Sequence, residues 1–126
     1  MKYRSILLID DDDDDQEIFL SALTKVSDSI ICTPVSTAYY ALQQLVDKQI
    51  TPDIIFLDLN MPIMNGQQFL VEIKKKPGLR DIPVVIFSTS SHPNTIRLAM
   101  EFGAMAFITK PNRFDDVVSI LTSILL

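Results

Sequence analysis

Cysteine is almost absent: Cys32 is the only one in the chain, and it stands in an apolar stretch, which argues against a disulfide or a thiolate metal cluster. A small core side chain in a reducing compartment is the reading that fits a free cysteine there. Histidine is equally scarce. His92 is alone, in a polar loop beside Pro93, without a second histidine or cysteine nearby to share a metal, so it reads as a surface residue. Positive charge is short as well: 11 Lys and Arg against 16 Asp and Glu leave a formal charge of -5. The attraction to phosphate that underlies most nucleic-acid binding is therefore missing. Long apolar runs are lacking too. MKYRSILLID has four consecutive apolar residues before charge begins, too few for a signal-peptide core or a membrane span. These absences predict a cytoplasmic protein with no membrane partner and no direct nucleic-acid partner. No repeat, linker or low-complexity tail divides the 126 residues, so one domain is expected over 1–126, with no room for an output domain.

What is present is alternation. Apolar residues make up 48% of the chain, and short apolar runs alternate with helical patterns five times, the mark of βα units on a parallel sheet. Strands are predicted at 6–9, 30–35, 54–57, 83–87 and 106–109. The first and third show no polar alternation, as expected of strands covered on both faces. Pro34 cannot donate a ladder hydrogen bond, which places the second strand at a sheet edge.

Between the strands run helical stripes: Phe19, Ala22, Leu23 and Val26; then Ala38, Ala41, Leu42 and Leu45, capped by Ser36 or Thr37; then Phe69, Leu70 and Ile73, ended by Pro77-Gly78. A fourth helix turns Ile96, Ala99 and Met100 inward and stops at Gly103. The last carries Phe114, Val117, Val118, Leu121, Ile124 and Leu125 on one face.

In open parallel sheets, ligands bind beyond the carboxyl ends of the strands. Past strand one stand Asp10 and Asp11, past strand three Asp58, past strand four Ser88 and past strand five Lys110. Nothing charged follows the strand with Pro34, which fits a strand order of 2-1-3-4-5. Carboxylates gathered this closely repel one another and need compensating cations. Lys110 is one, and an oxygen-coordinated divalent ion such as Mg²⁺ would supply the rest. That combination points to phosphoryl chemistry, with a carboxylate as the nucleophile.

Four motifs in order, ILLIDD at 6–11, DLNMP with its following NG at 58–66, IPVVIFST at 82–89 and FITKP at 107–111, resemble the receiver domains of two-component response regulators over essentially the whole chain. The resemblance implies a doubly wound, flavodoxin-like (βα)5 sandwich. It also implies that Asp58 is the phosphoacceptor, that Asp11, Asp58 and the backbone carbonyl of Asn60 ligate Mg²⁺, and that Asp10 acts through water. Ser88 is implied as the switch hydroxyl, Phe107 as the switch aromatic and Lys110 as the lysine that neutralises the phosphoryl group. The partners would be a sensor histidine kinase or a histidine phosphotransfer protein, a downstream effector, and a second copy through the face of the fourth helix, fifth strand and fifth helix. A cis bond before Pro111 is also expected from the family.

The chain departs from the family pattern in places. Serine replaces the commoner threonine at position 88, Thr89 stands where Ala or Gly is usual, and Asn65 replaces an Asp often found before the glycine, where it reads as turn chemistry. Asp12, Asp13, Asp14 and Asp15 read as a solvated helix start, and Lys74, Lys75 and Lys76 as a solvated helix end. Two other functions compete with the signalling switch: a Mg²⁺-dependent phosphatase-like enzyme and a scaffold that is never phosphorylated. Phosphatases that form an aspartyl phosphate usually carry a second Asp two residues after the nucleophile. Here that place holds Asn60.

Overall fold

The computed structural model describes residues 3–126. Five parallel strands, β1 (Ser5–Ile9), β2 (Ile31–Val35), β3 (Ile54–Leu57), β4 (Val84–Ser88) and β5 (Ala106–Thr109), form one sheet of order β2-β1-β3-β4-β5. They alternate with α1 (Asp13–Val26), α2 (Ala38–Val46), α3 (Gly66–Lys74), α4 (Pro93–Glu101) and α5 (Phe114–Leu125). The predicted strand order and the predicted strand and helix alternation are both found. β2 lies at the edge, with Pro34 opposite Leu8, where a missing N–H donor does least harm.

Every residue of β3 is fully buried, because helices cover both faces of the sheet. Side chains alternate between the faces along each strand. Leu7, Ile9, Ile55, Leu57, Val84 and Ile86 pack with α2, α3 and Ala99 of α4. Ile6, Leu8, Ile54, Phe56, Val85 and Phe87 pack with α1 and α5. In that second layer Phe19, Phe56 and Phe87 meet edge to face, with ring centroids 5.0, 6.0 and 6.4 Å apart, the arrangement that aromatic quadrupoles favour.

The helix starts follow their caps. Thr37, rather than Ser36, caps α2 by accepting the N–H of Tyr40. Asn65 and Gln68 form a reciprocal capping box on α3. His92 caps α4, its Nδ1 accepting the N–H of Asn94. Gly103, with φ +102, ends the segment after α4 in a conformation that L side chains rarely adopt.

Three expectations are corrected. Met100 of α4 is 44% exposed: Ala99 is the only fully buried residue of this short helix, so the flank beside it stays in solvent. Phe114 is 40% exposed, because α5 begins beyond the sheet and the first turn finds only a shallow groove of Asp14, Glu17, Ile18 and Ser21 on α1. Lys110–Pro111 is trans, as is every peptide bond among the described residues; the trans form is the intrinsically favoured one, by about 0.5–1 kcal/mol before proline.

Cys32 is half-buried on β2, and burial pushes its thiol pKa up to about 12. Lys74 does more than end a helix, since its ammonium donates to the carbonyl of Arg80 at 2.9 Å. Among the described residues no helix is long and apolar enough to cross a membrane.

Candidate functional site

Asp10, Asp58 and Ser88 are the buried polar or charged residues among those described. All three stand at carboxyl ends of strands, because the parallel sheet aligns those ends on one side. The backbone fixes each in place. Asp58 N–H donates to the carbonyl of Ile9 at 2.9 Å, Asp10 N–H to that of Val35 at 3.1 Å, and Lys110 N–H to that of Ser88 at 2.7 Å.

Oxygens of Asp10, Asp11 and Asp58 all lie within 4.8 Å of one another. Asp10 and Asp58 are buried and Asp11 is exposed. The donor set is oxygen only, with three formal negative charges, and it fits a small hard divalent cation in both number and chemistry. Asn60 is exposed in the turn two residues past Asp58.

Burial raises the Asp58 carboxyl above its usual range; Lys110 opposes this and Asp10 adds to it, while the backbone N–H groups of Asn60 and Leu59 pull it down. Asp10 is likewise raised by burial, against hydrogen bonds from Lys110 and the Asp12 N–H. For Lys110, burial alone would lower the pKa; the hydrogen bonds it donates to Asp10 and Asp15 outweigh it and the net shift is upward. The lysine ammonium lies 2.8 Å from Asp10 Oδ2 and 2.8 Å from Asp15 Oδ2. The expected solvated role of Asp15 is therefore corrected.

Gly66, the last residue of the motif at 58–66, has a task that the motif alone did not assign. A Cβ there would meet the carbonyl oxygen of Asp58 at 2.4 Å and the Cα of Leu59 at 2.8 Å. Only glycine lets α3 start this close to the turn that carries Asp58. Ser88 is fully buried, and its Oγ accepts the N–H of Ser90 at 3.3 Å. Phe107, half-buried, pairs in register with Ile86 and packs on the α2 and α3 side of the sheet. Ser88, two residues beyond Ile86, points to that same side. Thr89 is exposed and lies outside this packing.

The fold and the acidic crevice define the class, a doubly wound α/β protein with a carboxylate cluster at its strand tips. Comparison with known proteins then gives the family. Residues 6–122 match the response regulator receiver domain. The two-component response regulator ORR8 of Oryza sativa subsp. indica is 35% identical, over 92% of this chain and 93% of its own length. A crystal structure of the phosphorylated cyanobacterial phytochrome response regulator RcpA superposes with a TM-score of 0.86 at 30% identity, covering 97% of this chain and 91% of that one. The Mn²⁺-bound form of the response regulator Rcp1 gives 0.83 at 29% identity, covering 96% and 91%.

The chain belongs to the response regulator receiver domains of two-component systems, which are phosphorylated on an aspartate and act as signalling switches. A protein-glutamate methylesterase of Saccharophagus degradans is also similar, at 32% identity over 93% of this chain, but only over 33% of its own length.

Proposed function

We propose that Asp58 is the phosphoacceptor and that Mg²⁺ is held by Asp11, Asp58 and the carbonyl of Asn60, with Asp10 acting through water. The observation that carries this reading is the gathering of three carboxylates from two strand tips within 4.8 Å, with a partly buried ammonium beside them. The Rcp1 and RcpA likenesses support it, one being a metal-bound and the other a phosphorylated regulator. When bound, the cation supplies charge neutralisation for the phosphoryl oxygens and for the carboxylates.

The chain's own groups do the rest. An oxygen of Asp58 attacks the phosphorus of a phosphohistidine on a sensor kinase or phosphotransfer protein. The O–P bond forms as the P–N bond breaks, and the electron pair returns to the imidazole, which takes a proton from solvent. Lys110 offsets the negative charge gathering on the phosphoryl oxygens. Ser88 turns its hydroxyl from the Ser90 N–H toward the new group, and Phe107, on the same side of the sheet, follows into the space. The altered surface of β4, α4 and β5 is then read by an effector protein, and the face of α4, β5 and α5 by a second copy of the chain.

We further propose that residues 1–126 act as a single receiver in the cytoplasm, speaking through partners. The match to the rice regulator over 93% of its length favours the single receiver.

The test is intact mass after incubation with Mg²⁺ and a small-molecule phosphodonor. The wild type is expected to gain one phosphoryl group and Asp58→Asn none; a wild type that gains nothing while a control receiver does would return the chain to the scaffold reading. Asp11→Ala is expected to lose Mg²⁺ binding in a thermal shift assay, and unchanged affinity would remove Asp11 from the ligand set.

A further inference from the structure

Six identical side chains, Asp10 to Asp15, open the first helix, and the structure divides them. Asp12 caps α1 by accepting the Asp15 N–H. Asp13 and Asp14 are exposed. Asp15 turns back to the crevice and accepts from Lys110 at 2.8 Å, the same length as the bond Lys110 donates to Asp10. An ammonium has three donors, so two are directed at Asp10 and Asp15, while Asp58 reaches Lys110 by Coulomb attraction. Asp15 also lies outside the group of carboxylates whose oxygens cluster within 4.8 Å. Its interaction is with the lysine rather than with that cluster.

We infer that Asp15 is a positioning residue that competes with the phosphoryl group on Asp58 for the ammonium of Lys110. The inference rests on the phosphoacceptor reading of Asp58. A phosphoryl group brings three acceptor oxygens and nearly two negative charges; one donor of Lys110 is free to meet them, and the ammonium gives them a second only by turning it away from a carboxylate. The two carboxylates are not equal in this. The Asp10 side chain is 3% exposed and that of Asp15 33%. Asp10, released, loses its cation away from water and keeps the Asp12 N–H as its protein partner, whereas Asp15 is rehydrated at small cost. Asp15 is therefore the partner that lets go, and the strength of its hold sets how firmly the phosphorylated state is kept.

The experiment is titration of the full chain with beryllofluoride, a phosphoryl mimic, at saturating Mg²⁺, followed by amide NMR. Since partly exposed ion pairs are weak, Asp15→Asn is expected to bind the mimic about threefold more tightly than wild type. Asp15→Glu, which keeps the carboxylate, is expected to return to the wild-type affinity. Asp14→Asn removes the same charge from an exposed neighbour and is expected to change nothing. Unchanged or weaker binding by Asp15→Asn overturns the inference, as does an equal gain in Asp14→Asn, which would make the effect one of net charge. A wild type that fails to bind the mimic at all brings down the reading of Asp58 itself, and this inference with it.

Discussion

Ile54 through Leu57 are 0% exposed and Asp58, the next residue, is 7% exposed, yet burial acts on the two in opposite directions. In the strand it removes apolar surface from water and stabilises the fold. At the tip it withdraws a carboxylate from water and raises its pKa, a cost that Lys110 and backbone N–H groups only partly offset. The interior of the sheet is thus built for stability and its rim for reactivity, and a single residue step along the chain crosses from one to the other.

Mutations on the two sides of that step should separate stability from phosphoryl acceptance. Phe56→Ala removes one fully buried ring of the aromatic trio and is expected to cost about 4 kcal/mol in urea unfolding, with phosphorylation intact in whatever fraction remains folded. A small loss there would mean that the α1 and α5 layer collapses readily around the gap.

Lys110→Met sits on the boundary. It leaves Asp10 buried without its cation and is expected to cost about 3 kcal/mol at neutral pH. That cost should shrink as pH falls through the raised pKa values of Asp10 and Asp58, because protonation removes the unpaired charge. A loss independent of pH would show that Lys110 contributes packing alone. In the wild type the lysine's own contribution is complete below its unfolded pKa, roughly 10.4, and is lost as pH rises through its higher folded value.

Gly66→Ala tests the backbone of the rim. The added methyl meets the Asp58 carbonyl oxygen at 2.4 Å, so the turn must shift, at about 2 kcal/mol, and Mg²⁺ affinity should fall in parallel; stability lost without any change in Mg²⁺ binding would sever the link between this glycine and the site.

Asp58→Asn carries the smallest expected effect and the opposite sign. Acids whose folded pKa is raised destabilise the fold at neutral pH and cease to do so in acid. The amide variant should therefore melt a few degrees higher than wild type near pH 7, with the gap closing as pH falls. A lower melting temperature at neutral pH would mean that the carboxylate stabilises the rim in the resting protein.

The fold was legible because β3 and the stretches 6–9 of β1 and 84–87 of β4 are apolar without interruption, a pattern that burial on both sheet faces imposes directly on composition. Pro34 even revealed which strand lies outside. Within the site, Asp10, Asp11 and Asp58 converge as their places after strands suggest, and Lys110 joins them. Asp15 was missed because a run of one residue type carries no internal contrast: the helix, and not the sequence, decides which member faces Lys110. The task of Gly66 was missed for a related reason, since its value lies in what an absent side chain does not touch. Met100 and Phe114 went wrong at helix ends and flanks, where the apolar period continues but the sheet beneath it stops.

The half-buried thiol of β2 has a practical consequence. With its pKa pushed up to about 12, Cys32 is held as the unreactive thiol at pH 7. Alkylating probes will therefore pass it by on the timescale of ordinary labelling. A cysteine introduced at exposed Phe102 or Met105 would take the dye instead, so movement around α4 and β5 can be followed spectroscopically without first removing the natural sulfur.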